Sequence, residues 1–301
     1  MSSHNNILVT CATGNQGRGV VRHCLAAGHR VYAYLRDPTT PAAKDIEQSG
    51  ATLVQGDLNN VEEVRAAIQG MDAVFHTEVL TGDWAKDLER SIHIIEAARA
   101  SPTVSCMLVS TSIKTGQHES FPGWGPEYSM RQYWLNKNAI ENYVRDAGFQ
   151  HWTIVRLGHF LQNLKAPVNA ITFPGFADDR VLRVAWRPDT KLPWIDAADV
   201  GSVVAAAVSD MKKYSGKEID LAVEALTVEQ LAAKLGRTLG ANVKVHYLSD
   251  EETEDLINLG SPTPAAHQWA NQVPGDDAVG RVKGLSLTSV DTFLAQNATQ
   301  I

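Results

Sequence analysis

The sequence predicts an α/β fold: a doubly wound parallel sheet joined to a smaller C-terminal α+β lobe. Three observations predict it. Short β-branched apolar runs alternate with helical patterns through the first half, a glycine-rich stretch joins the first run to the first helix, and the rhythm breaks after Leu157. Strands alternating with helices imply βαβ crossovers, which cover both faces of a parallel sheet.

The elements follow in order. Residues 7–10 (ILVT) make the first strand, and a helix over 17–27 closes at Gly28, a residue suited to a left-handed cap. Residues 30–35 (RVYAYL) and 51–55 are the second and third strands, the latter followed by Gly56-Asp57-Leu58. Asn60 caps a helix over 61–68, and 73–76 is the fourth strand. Leu88, Ile92 and Ile95 recur at helical spacing through a long helix over 85–100. A fifth strand over 106–110, a helix over 136–147 and a sixth strand over 152–157 (WTIVRL) complete the first half. Residues 158–195, rich in Pro, Gly, Phe and Trp, read as irregular structure over the sheet's C-terminal edge. A helix over 197–209 and a strand near 218–223 can return to the main sheet. Residues 227–239 form an amphipathic helix between Thr227 as N-cap and Gly240 as C-cap. No repeat or low-complexity linker separates the halves, so they are expected to interleave.

Composition narrows the class. The 301 residues are 44% hydrophobic and 20% charged, as in ordinary globular proteins, and carry a formal net charge of -7. An acidic chain disfavours nucleic acid or an anionic membrane surface as the main partner. No run nears the roughly 18 apolar residues of a membrane span. Residues 1–6 show no basic region or long apolar core of a secretory signal. Three scattered cysteines, Cys11, Cys24 and Cys106, read as reduced thiols, so a cytoplasmic location is expected. No HExxH, Cys/His cluster or paired-carboxylate motif suggests a metal, and GxSxG is absent.

The stretch TCATGNQGRG, residues 10–19, sits where the first βα turn of a Rossmann-type fold binds a dinucleotide. Gly14 and Gly17 let backbone N–H groups approach a pyrophosphate, and the following helix start offers partial positive charge. Cys11 stands where the first glycine of the pattern would be; it is small enough that binding is expected to survive. At the end of the second strand, NAD-specific domains place an acidic residue for the ribose 2′-OH. Here Arg36 holds that place, which suits the 2′-phosphate of NADP, while Asp37 beside it keeps NAD open. Asp57 and Leu58 are placed to flank the adenine. Residues 1–157 are therefore expected to be the NADP-binding domain and 158–301 the substrate-binding lobe, with about 197–223 returning to the main sheet.

Beyond the fifth strand lies Tyr133-Trp134-Leu135-Asn136-Lys137. On a helix the phenol and the ammonium share a face, so Lys137 can hold the nicotinamide ribose and Tyr133 can exchange a proton. The sequence here resembles the NmrA-like family, atypical members of the short-chain dehydrogenase/reductase superfamily. The resemblance covers nearly the whole chain and rests on ILVTCATGNQGRGVV, YLRDP, GDL, LNKNAIENYVRDAG, TIVRLGHFLQNL, LPWIDAADVGSVVAAAV and GKEIDLAVEALTVEQLAAKLGRTLG. It implies NADP contacts at Cys11, Ala12, Thr13, Gly14, Asn15, Gln16 and Gly17. Further implied contacts are Arg36, Asp57-Leu58, the turn His76-Thr77-Glu78, Lys137, and the run from Phe160 to Asn163. Some members of the family reduce quinones, phenylpropanoid-type ethers or alkaloid imines. Others bind NADP as regulators without turnover, often lacking the tyrosine, so Tyr133 speaks for an enzyme of the kind found in fungal specialised metabolism. In the family's helix the lysine is the steadier feature, and Tyr133 can equally be a pocket-lining residue.

Substrates of such folds bind outside the C-terminal strand ends. Trp124, Tyr128, Trp134, Phe173 and Trp194 are expected to line that pocket for a large, flat, apolar substrate, with core packing as the alternative. His159, just past the sixth strand, can relay a proton or be structural. Asp196 and Asp199 read as N-caps. The leading expectation is an NADP(H)-dependent reductase of a C=N/iminium or conjugated C=C–C=O group in an alkaloid- or polyketide-like metabolite. A variant makes pocket-templated cyclisation follow the reduction. The competing class is an NADPH/NADP-sensing regulator with a protein partner. Oligomeric state is not readable from the sequence.

Overall fold

In the computed structural model, residues 4–261, 263–279 and 284–301 are described. Met1, Ser2 and Ser3 of the opening stretch, and Pro262 and residues 280–283 of the expected second domain, lie outside the described residues. The first half runs β1 (Asn6–Val9), α1 (Asn15–Ala26), β2 (Arg30–Leu35), α2 (Pro41–Gln48), β3 (Thr52–Gln55) and α3 (Val61–Ile68). It continues through β4 (Ala73–Thr77), α4 (Trp84–Ala100), β5 (Cys106–Ser112), α5 (Arg131–Asp146) and β6 (His151–Leu157). After it come β7 (His159–Phe160), α6 (Asn169–Thr172), α7 (Phe176–Asp179), β8 (Val181–Val184), β9 (Leu192–Ile195), α8 (Val200–Ser209) and α9 (Met211–Tyr214). The chain ends with β10 (Lys217–Leu221), β11 (Glu224–Leu226), α10 (Val228–Leu239), β12 (Lys244–Tyr247), α11 (Asp250–Asn258), α12 (Thr263–Gln272) and α13 (Val290–Asn297).

Seven strands form one parallel sheet in the order β3-β2-β1-β4-β5-β6-β10. The order reverses between β1 and β4, the switch point at which such sheets bind ligands. Side-chain alternation explains the layers. Ile7 and Val9 of β1, Phe75 of β4 and Leu108 of β5 point into the core beneath α1 and α8. Their neighbours Leu8, Val74, Met107 and Val109 point into the core shared with α3, α4 and α5. Both faces are buried, so these strands read as continuous apolar runs rather than alternating ones.

Two small sheets build the C-terminal lobe: β11-β9-β7, and β8 paired parallel with β12. Residues 158–195 are thus not irregular as expected. They hold three strands and two single-turn helices, all two to four residues long. Elements that short show no readable period, so tertiary pairing, not local pattern, defines them. Helix α2 was also not anticipated, although Thr40 caps it by accepting from the Ala43 N–H and Pro41 opens it.

Helix α1 lies against α8 with two glycines at the contact. A Cβ on Gly201 would stand 2.2 Å from the Gly19 carbonyl oxygen, and one on Gly19 would stand 2.2 Å from that of Ala198. Asp196 accepts from the Ala198 N–H at 2.9 Å, the capping bond expected. Asp199 does not cap. Its carboxylate accepts from the Thr288 N–H at 2.7 Å and hydroxyl at 2.9 Å, tying the C-terminal segment to the root of α8.

Candidate active site

Two clefts open on the C-terminal edge of the sheet, and the turn after β4 divides them: Val79 and Thr81 face one, Glu78 and Leu80 the other. The first, about 290 Å³, includes Cys11, Thr13, Gly14, Leu35, Arg36, Gly56, Asp57 and Leu58. Its floor is the glycine turn, where the Gly14 N–H donates to the Cys11 carbonyl at 2.9 Å. A Cβ on Gly17 would stand 2.2 Å from that same carbonyl, so only glycine lets the helix pack this close. Gly14 is the N-cap of α1 and offers no side-chain cap, which leaves the first amides of the helix for a ligand. Cys11 has φ of 51°, the left-handed conformation that glycine would adopt at no cost. Burial pushes its thiol up to about 11, so it stays protonated and inert at neutral pH.

Arg36 is exposed at the tip of β2, and among the described residues its guanidinium pairs with no carboxylate. Asp37 is committed elsewhere: its carboxylate accepts from the Thr39 N–H at 2.8 Å and hydroxyl at 2.6 Å, and these bonds hold it below the ordinary aspartate value. Asp57 likewise accepts from the Asn59 backbone and side chain. Arg90, which sequence reasoning missed, borders the same cleft and donates to Asn59 and the fully buried Asp87. No local pattern around position 90 signals that placement.

The second cleft, about 360 Å³, gathers Gln16, Thr77, Glu78, Tyr133, Trp134, Lys137, His159, Phe160 and Asn163. Gln16 bridges the strand tips, donating to the Thr77 hydroxyl at 3.1 Å and accepting from Ser110 at 2.5 Å. Helix α5 starts at Arg131, five residues before the expected position, so Tyr133 and Lys137 share its face. The Lys137 ammonium lies 5.4 Å from the Tyr133 ring centroid and 2.8 Å from the Glu78 carboxylate. Burial works against the Lys137 charge, but Tyr133, Glu78 and Asp87 outweigh it and leave the ammonium above the ordinary lysine range. Glu141, one turn further along α5, is fully buried and accepts from Thr111, Arg145 and Arg156. This network fastens the helix to β5 and β6.

His159 reaches the second cleft from beside Trp194 and Trp186, with ring centroids 5.8 and 6.4 Å apart. Burial pushes it down to about 4, which favours the neutral imidazole at physiological pH. His76, beneath the turn, is pushed to about 3 by burial and bonds Thr10 and Ser91 at 2.9 and 3.0 Å.

The remaining expected residues lie elsewhere. Asn15 is exposed at the start of α1 and Gly17 is buried under the turn, so neither borders a cleft. Of the five expected pocket aromatics, Trp134 borders the second cleft and four do not. Trp124 and Tyr128 pack on Phe121, Phe173 packs on Trp186, and Trp194 is 1% exposed inside β9. Phe173 and Trp194 belong to the buried core of the lobe, and Trp124 and Tyr128 are half-buried against that core, so these rings go to packing rather than to a cleft wall. In their place the cleft takes Leu80, Ile113, Met130, Ala266 and Trp269. Ala266 and Trp269 share α12, and the tilted Trp134–Trp269 ring pair, 4.9 Å apart, closes the cleft from the C-terminal side.

A seven-stranded parallel sheet with a glycine turn at its switch point defines a Rossmann-type protein. The NmrA-like family matches residues 3–301, and the chain belongs to that family. It is 28% identical over 264 residues to the nitrogen metabolite repression protein nmrA of Emericella nidulans, across 84% of this chain and 70% of that one. It is 27% identical over 264 residues to an NAD(P)H azoreductase of Xenophilus azovorans, across 86% and 83% of the two chains. In structure it is similar to the triphenylmethane reductase of Citrobacter sp. complexed with NADP(H), with a TM-score of 0.73 at 19% identity over 96% and 99% of the chains. That likeness speaks to the fold. Among the described residues no helix is long and apolar enough to cross a membrane, and no group of three or more His, Cys, Asp or Glu side chains gathers as metal ligands would.

Proposed function

We propose that the protein is an NADP(H)-dependent reductase of a large, flat, apolar specialised metabolite, reducing a C=N/iminium or conjugated C=C–C=O group in the cytoplasm. The observation that carries this reading is the placement of two clefts side by side on the C-terminal edge of the sheet, one on each side of the turn after β4. One has a glycine cradle and an unpaired guanidinium; the other has a tyrosine–lysine pair under aromatic rings. The cradle fits a dinucleotide, since backbone approaches closely at Gly14 and Gly17 and the α1 amides are uncapped. Arg36 would take the 2′-phosphate, with Asp37 held away by Thr39. Asp57 and Leu58 would border the adenine, and Gln16, Thr77, Lys137, Phe160 and Asn163 the nicotinamide half. We take residues 1–157 with β10 and α8 as the cofactor-binding unit, and the rest as the substrate lobe.

When bound, NADPH supplies a hydride from its nicotinamide C4. Tyr133 would then give the accompanying proton: it borders the second cleft as His159 does, and the burial that lowers His159 makes the imidazole the poorer donor. Lys137 would hold the ribose and keep a positive charge beside the phenol. Trp134, Trp269, Leu80, Ile113 and Met130 would exclude water and give a flat, apolar substrate its contacts.

The test is turnover. Purified protein should consume NADPH with one member of a panel of cyclic imines, enones and quinones, and Tyr133→Phe should lower kcat about 100-fold or more. If no member of the panel lowers the NADPH absorbance while NADPH still binds, and a partner protein is captured, the chain is an NADPH/NADP-sensing regulator. Analysis of the product for a new ring separates plain reduction from reduction with cyclisation.

A further inference from the structure

A buried carboxylate stands at the wall of the second cleft that the reduction scheme above does not use. Glu78 follows directly on β4, its side chain is fully buried, and its Oε2 lies 2.8 Å from Lys137 Nζ. The carboxylate is held from behind. Asn136 Nδ2 donates to Glu78 Oε1 at 3.4 Å and to the Trp84 carbonyl at 2.8 Å, while its Oδ1 accepts from Gln132 at 2.8 Å. Glu78 is thus fixed by the same helix, α5, that carries the lysine.

We infer that Glu78 is a positioning residue: it fixes the Lys137 ammonium at the cleft wall and so governs how tightly the nicotinamide ribose is gripped. The inference rests on the reading above that Lys137 meets the cofactor. A buried ammonium without a counter-charge gives up its proton far more readily than one with a partner. Among the described residues Glu78 is the carboxylate within ion-pair distance of Lys137. The other groups that face it cannot replace Glu78. Asp87 of α4 is committed to Thr81 and Arg90, His76 of β4 is neutral, and Tyr133 presents its ring one turn up the same helix. His159 on the far wall is neutral as well. Position 78 therefore sets the charge state of position 137 without itself having to touch the cofactor.

The experiment is NADPH binding, read by quenching of tryptophan fluorescence from pH 7 to pH 10, for the wild type, Glu78→Gln, Lys137→Met and the double variant. The wild type should hold a nearly flat affinity. Glu78→Gln should lose affinity on the alkaline side, with a midpoint about one pH unit or more below that of the wild type. In the Lys137→Met background the same substitution should change affinity less than about twofold. A Glu78→Gln profile that superimposes on the wild type, with Lys137→Met clearly weakened, overturns the inference and leaves the cofactor reading standing. Unchanged binding by Lys137→Met overturns the cofactor reading at Lys137 and the inference with it. Should thermal scans show Glu78→Gln unfolded, Glu78→Asp takes its place. It keeps the charge but withdraws it by one methylene, so the midpoint should move part of the way, and no movement overturns the inference.

Discussion

Arg36 and Asp37 are neighbours with opposite charge at a strand tip, and their local bonding decides which one a nucleotide meets. Two Thr39 bonds take the Asp37 carboxylate, while the guanidinium stays exposed. Arg36→Ala is expected to weaken NADPH about 10- to 100-fold, the worth of a charge-assisted bond, and NADH by less than about threefold. Equal losses in a paired titration would rule out the 2′-phosphate contact. The histidines make a second prediction at this scale. His76, His159 and His267, the last buried in α12 and accepting from the Ala185 N–H, are pushed by burial to about 3, 4 and 3, so the fold holds them neutral while the unfolded chain protonates them near 6.5. Stability is therefore complete above pH 6.5 and falls as pH drops towards 4, by about 2 kcal/mol for each group at pH 5. Urea unfolding at pH 7.5 and pH 5 measures it, and equal midpoints would contradict it. The positions of His76 and His267 in the core were not legible in the sequence, because a lone histidine carries no pattern that tells inside from outside.

At the scale of elements, the sequence announced helices and strands wherever the pattern was long enough to repeat. Helix α3 and its Asn60 cap, and α10 between Thr227 and Gly240, are where the residues place them, because capping is a bond between neighbours in sequence. The α1–α8 contact is different. Gly19 and Gly201 are far apart in the chain, and only their meeting shows why both lack a side chain. Gly201→Ala is expected to cost about 3 kcal/mol by forcing the helices apart, whereas the same change at an exposed helical site gains about 0.5–1 kcal/mol. Chemical denaturation checks it, and a loss below about 0.5 kcal/mol would mean the contact yields cheaply. The α5 anchor makes a related case. Glu141→Gln leaves Arg145 and Arg156 without their buried partner and should cost about 3 kcal/mol.

Across the whole molecule, the second cleft is closed by parts of the chain that are distant in sequence. Gln16, Thr77 and Lys137 come from the first half, His159 from just past β6, and Ala266 and Trp269 from α12. If this arrangement binds as proposed, NADPH at about 100 times its dissociation constant stabilises the fold by about 2.7 kcal/mol, a rise in Tm of about 5 °C. Trp269→Ala should keep that rise while raising KM for the substrate, since Trp269 borders the second cleft and not the glycine cradle. Loss of the rise in this variant would place Trp269 in cofactor binding instead.

The sequence by itself determined the sheet, the glycine turn, the arginine after β2 and the tyrosine–lysine spacing. Those features are local: a strand's apolar run, a turn's need for glycine and a helix's four-residue repeat are each written within about a dozen residues. Only the tertiary structure decided that four of the five expected pocket aromatics pack in or against the lobe's core, that Trp269 borders the cleft, and that Glu78 partners Lys137. Which rings face a cleft depends on how the small sheets β11-β9-β7 and β8-β12 dock, and an ion pair between the turn after β4 and α5 depends on a crossover that brings residues 78 and 137 together. Neither is encoded in spacing along the chain, because burial is a property of the folded whole.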